Sequence, residues 1–148
     1  MIQSAPGFRP LAARLLGHEA AGQKEAPELT DAAERICGKL YGELAPLIGI
    51  DGLTAIVAHA LHLVQAEFPF LRGAKVERQP EDCLKGLRES AQGLEPAELR
   101  RGIVAFLASV VWLLATFIGE AMVLRLIARA WPDVSLDNEG QGSQEVMQ

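Results

Sequence analysis

Two histidines in the segment His59-Ala60-Leu61-His62 stand three apart on a stretch of helical periodicity. That spacing brings two imidazoles toward one side of a helix, and a carboxylate such as Glu67 or Glu120 would complete a three-ligand site for a zinc-like ion. The pattern goes no further, because neither Glu-x-x-His nor His-Glu-x-x-His accompanies the pair. His62 falls in the middle of the polar face opposite Leu53 and Leu61, and His59 at its margin, so two exposed surface histidines account for the same residues without a metal.

Glu120 is the second candidate. It interrupts apolar sequence between Ile118-Gly119 and Ala121-Met122-Val123-Leu124. A carboxylate with such neighbours either reaches water at the end of the apolar segment or is paired inside. On a helical projection Glu98, Gly102, Ala105, Ser109, Thr116 and Glu120 share an arc of roughly 60°, opposite the bulky stripe of Val104, Leu107, Val111, Leu114, Ile118 and Met122. A row of small and polar residues has three uses. It can be a narrow wet strip on a mostly buried helix, a seam where another backbone approaches closely and hydroxyls bond across, or the wall of a ligand pocket anchored by Glu120.

The remaining chemistry is sparse. Cys37 lies in an apolar helical stripe and reads as a small core residue, and Cys83 stands beside another such row. The two share no Cys-x-x-Cys spacing. The chain shows no nucleophile–base pair, glycine-rich phosphate loop or metal motif, so no catalytic residue and no cofactor is implied. A formal net charge of −5 over 148 residues argues against nucleic acid as partner, since phosphate binding needs a clustered positive field. The first residues lack a charged start followed by an apolar stretch, which points to a cytoplasmic, reducing setting.

The elements that must hold these residues are helical. Met1 to Ala26, rich in Ala, Gly and Pro, reads as a mobile arm with a short apolar patch at Phe8, Leu11, Leu15 and Leu16. The spacing of Ile36, Cys37, Leu40, Tyr41 and Leu44 predicts a first helix capped near Asp31, with Pro46 breaking or kinking its end. A second helix is predicted over 52–68, with Leu53, Ile56, Val57, Ala60, Leu61 and Val64 inward, and a third over 81–92. No strand alternation and no internal repeat stands out.

The fourth helix dominates. Gly102 to Gly119 carries no charge and only two hydroxyls, Ser109 and Thr116. A helix that is apolar all round must be surrounded by protein or lipid. With Pro96 at its start and Pro132 as its stop, it is predicted to run unbroken from 97 to 131, on the order of 50 Å. The predicted fold is all-α, a compact bundle of about four helices with this one at the centre. The domain is predicted over 27–132, with a disordered acidic tail over 133–148.

Three other helices are too few to enclose one on every side, so a second copy of the chain is expected to cover the rest. The functional expectation is a small non-catalytic interaction or regulatory module that works by homo-oligomerisation and by binding another protein. The alternative is a membrane-anchored accessory protein with a single span at 102–124. A ligand- or metal-binding protein using Glu120, His59 and His62 is the more distant one.

Overall fold

The computed structural model describes residues 7–77 and 84–134. Within them the fold is all-α apart from one short two-stranded ladder, and a long apolar helix packs centrally against several others.

Helix α1 (Arg9–Glu19) carries Pro10 in its first turn, where the fixed φ of proline suits the helix. Its Leu11, Ala12, Leu15 and Leu16 lie on one face and are all buried. The described part of the predicted mobile arm is thus a core helix. The low apolar content that suggested mobility belongs to its outer face and to the turn that follows.

Helix α2 (Ala26–Ile48) starts a turn earlier than the cap predicted at Asp31, with Pro27 in the first turn and the Leu29 amide on the Glu25 carbonyl at 3.0 Å. Asp31 instead pairs with Arg88. Pro46 does not end the helix: Pro46 and Gly42 are both exposed, so the carbonyl that proline cannot bond lies on a solvated turn. Gly49 ends it, at φ +87°, and α3 (Ile50–Val64) follows directly, two residues earlier than predicted and ending before Phe68.

The predicted third helix is reduced to the single turn α4 (Leu87–Ser90). It follows a 3-10 turn (Pro69–Gly73) and a ladder in which β1 (Lys75–Val76) pairs antiparallel with β2 (Leu84–Lys85). Its apolar row is still inward, since Leu84, Leu87 and Ala91 are buried. Cys83 lies outside the described residues.

Helix α5 (Pro96–Ile118) is the central one, and it is not continuous to Trp131. Gly119, at φ +99°, separates it from α6 (Glu120–Ala130), and Trp131 then folds back into the core. Every residue from Gly102 to Val111 is buried, and α1, α2, α3 and α6 all pack against the helix. One chain therefore encloses most of the apolar run. The second copy expected from counting helices is not required for this, because α1 and the folded-back α6 supply the missing neighbours.

The structure also exposes a repeat that the sequence conceals. Glu25 and Glu95, Leu29 and Leu99, Ile36 and Phe106, Leu44 and Leu114, Gly49 and Gly119, and Leu53 and Val123 are each 70 positions apart. They occupy matching stations in two helix–glycine–helix units whose first helices both have 23 residues. The hydrogen bonds at the joints match as well. Gly49 and Gly119 bond back to Ala45 and Ala115 at 2.8 Å, and Leu53 and Val123 bond to the two glycines at 3.0 and 3.1 Å. Packing is reciprocal, α2 against α6 and α5 against α3, the pattern that an internal two-fold relation produces.

Candidate functional site

Two large apolar side chains among the described residues are exposed, Leu47 at 51% and Phe117 at 68%. They are 70 positions apart, at the same station of the two units, in the last turn of α2 and of α5. The glycine two residues later turns the chain away from each helix end, so neither side chain is covered by its own following helix.

Beside Phe117 lies an apolar groove of about 280 Å³, walled by Ala55, Ile56 and His59 of α3 and by Leu113, Thr116 and Phe117 of α5. Ile56 and Leu113 continue the buried faces of their helices up to the surface. The Thr116 hydroxyl is turned onto its own helix, donating to the Trp112 carbonyl at 2.9 Å, and so presents mainly its methyl. His59 is exposed at the rim and is the groove's one ionisable side chain.

The matching place in the other unit is built differently. Counting back or forward by 70, Ala55, Ile56, His59, Leu113, Thr116 and Phe117 correspond to Arg125, Leu126, Arg129, Glu43, Pro46 and Leu47. There Arg129 Nε stands 3.7 Å from Glu43 Oε1. An ion pair bridges α6 and α2 where His59 and Leu113 leave an apolar opening between α3 and α5.

The other candidate residues fall in several places. Gly102, Ala105 and Ser109 are buried, and at Gly102 the row packs closely against aromatic side chains of the same chain. A Cβ on Gly102 would come 2.6 Å from Cζ of Phe70 and 3.3 Å from Cδ1 of Phe68, and these two rings pack edge to face at 6.4 Å. Glu98 is half-exposed in the first turn of α5 and pairs with Arg101. Thr116 and Glu120 are exposed, so the row turns from buried to exposed near the end of α5. His62 is exposed on α3 and is not among the residues that wall the groove. Among the described residues no group of three His, Cys, Asp or Glu side chains is placed to hold a metal ion.

A polar cluster that sequence reading missed holds α1 in place. Glu19 Oε1 accepts from Arg35 Nε at 3.1 Å, and Oε2 accepts from Lys39 Nζ at 2.5 Å and from the Trp131 indole at 2.7 Å. The Glu19 carbonyl accepts a further bond from Arg35 Nη2 at 2.5 Å, and the Lys39 ammonium lies 5.4 Å from the Trp131 ring centroid. Burial pushes the Glu19 carboxyl up, but the hydrogen bonds from Lys39, Trp131 and Arg35 outweigh it and hold the group below its ordinary value. Partners 16, 20 and 112 positions away leave no local signature, so nothing in the sequence pointed to this cluster.

No protein family, curated protein or solved structure matches this chain.

Proposed function

We propose that this protein is a small helical interaction module that binds another protein, or a second copy of itself, through the groove between α3 and α5. The observation that carries this reading is Phe117, 68% exposed at the rim of an apolar groove. Aromatic side chains of this kind are typical anchors of protein interfaces, where a few residues supply most of the binding energy. The groove holds no nucleophile beside a base, and its one hydroxyl is engaged by its own helix, which favours recognition over catalysis. In the matching site an ion pair spans the same place, so the apolar character belongs to one unit only.

The single-span reading rests on α5, whose most apolar stretch has a mean hydropathy of 2.0. Against it, 61% of that stretch is buried by the rest of the chain, and a span would require the bundle to open.

The test is a photo-crosslinking amino acid at position 117, compared with one at position 125 on the matching face of α6. An adduct formed from 117 and absent from 125, with a mass that identifies either a second copy or a different protein, is the expected result. Equal or absent labelling at the two positions would remove the reading.

A further inference from the structure

The chain reverses between α1 and α2 through Ala20–Glu25, and this turn holds Ala21 at φ +54°, the one non-glycine residue with positive φ among those described. The turn is a helix C-terminal cap in which the amides of Ala21 and Gly22 return to the carbonyls of His18 and Gly17, each at 3.1 Å. Such caps favour glycine at the left-handed position, because a Cβ there crowds the following carbonyl. Here glycine comes one residue late, at Gly22, itself at φ +80°. The strained element is thus the reversal that folds α1 back onto its own chain.

The contacts that hold α1 once it is folded back are made by α1 itself and not by the residues of that turn. Leu11, Leu15 and Leu16 are buried where α1 packs on α2 and α5, and Glu19 is held by Arg35, Lys39 and Trp131. None of these contacts depends on which copy of the chain supplies α1.

We infer that α1 is an exchangeable cover, and that the surface beneath it, formed by α2, α5 and the end of α6, is an interaction site for the α1 of a second copy. Opening the turn into extended backbone relieves Ala21 and carries α1 away from its own core. Two chains then rebuild both sets of contacts reciprocally, as a two-fold dimer requires. Short hinges under strain invite this exchange, since the dimer keeps the native contacts and loses the strain. Charge complementarity identifies the occupant. The receiving surface offers Arg35, Lys39 and the Trp131 indole, and Glu19, the one acidic side chain of α1, satisfies all three. The inference deepens the self-association part of the function proposed above and uses a surface separate from the groove at Phe117.

Gly22→Pro tests it. Proline cannot take the positive φ of Gly22, and it pushes Ala21 out of the left-handed region while leaving α1 unaltered. Light-scattering mass is read across concentration together with tryptophan emission in a Trp112→Phe background, so that the emission reports on buried Trp131. The expected product has twice the chain mass and the parent's emission, whereas Ala21→Gly shifts the equilibrium roughly fivefold toward the monomer. A folded monomer with red-shifted emission means that α1 has detached without exchanging, which overturns the inference. Deleting the exposed Gln23 and Lys24 shortens the same connection and removes the Gln23 amide that bonds to the Ala20 carbonyl at 2.9 Å, and a dimer is again expected. Because the exchanged dimer keeps the native contacts, failure of both variants to fold also counts against it. Phe117→Asp added to Gly22→Pro separates the two surfaces. A dimer that survives is held by α1, and one that dissociates is held by the groove. A parent that dimerises through Phe117 while both hinge variants stay monomeric leaves the groove reading standing and removes the exchange.

Discussion

Phe117 and Leu47 occupy the same station in two helix–glycine–helix units, yet Phe117 borders an apolar groove and Leu47 stands beside the Glu43–Arg129 ion pair. The two units share a backbone plan and differ in what they leave open to a partner. If the groove is the working surface, Phe117→Ala should abolish the crosslink formed by a photo-crosslinking amino acid moved to position 55 of the groove wall, while changing the urea unfolding free energy by less than about 0.5 kcal/mol, the usual range for surface substitutions. A large loss of stability would mean that Phe117 is part of the core.

The ion pair offers a converse experiment. Glu43→Leu with Arg129→His removes the ion pair and places the counterparts of Leu113 and His59 at the matching positions of α2 and α6. The double variant should bind an apolar dye such as ANS at a second class of site in a titration, where the parent shows one. An unchanged number of sites would show that the backbone, and not the ion pair, closes that face.

Gly102 is a packing glycine. Any Cβ meets the Phe70 ring at 2.6 Å, so Gly102→Ala is expected to cost about 1–3 kcal/mol, as overpacked cores do, and Gly102→Leu more. Thr116→Ala, in the exposed part of the same row, should stay within about 0.5 kcal/mol. Urea denaturation of the three variants checks the contrast between the buried and the surface ends of one helix face.

Gly49 and Gly119 make a matched pair of predictions. Both hold backbone conformations that L side chains rarely adopt, at φ +87° and +99°, and neither has an atom near the place a Cβ would occupy. Alanine at either position should therefore destabilise through backbone strain alone, by about 1–3 kcal/mol, and by similar amounts at the two sites. Unequal costs would show that the two joints are not equivalent.

The Glu19 cluster sets an acid dependence. Its carboxyl is lowered from an ordinary value of 4.5, so its contribution to stability is complete above that value and is lost as pH falls through the lower folded value. Glu19→Gln should cost about 1.5–3 kcal/mol at neutral pH, the range for hydrogen bonds to charged groups. The difference from the parent should shrink as pH drops below 4.5. Equilibrium unfolding at a series of pH values reads both the size and the sign.

Local pattern was enough to establish an all-α protein with the helix that carries the apolar run from Gly102 at its centre, because a helix without a polar face has to be enclosed, whereas only the structure showed that unbroken burial ends at Val111. It also placed the inward faces of α2 and α3, since Ile36, Leu40, Leu44, Leu53, Val57 and Leu61 recur at helical spacing. The chain's own order left open what does the enclosing. Leu11, Leu15 and Leu16 are a short stripe in a segment of weak helical character, and isolated helices of that length are marginal in water. Only packing on α2 and α5, with Glu19 held by Arg35, Lys39 and Trp131, turns that segment into a core helix. The candidate site was legible in part, through His59 and Thr116, but not as a groove. Periodicity assigns each residue a face of its own helix, whereas the opening beside Phe117 depends on where α5 stops, at the positive φ of Gly119, and on how α3 lies against it. The repeat went unseen for a related reason. Its two halves agree in helix length and in backbone conformation at the glycine joints, but their identical pairs are scattered among unlike ones such as Glu43 and Leu113 or His59 and Arg129, and the equivalence appears only once the helices are packed.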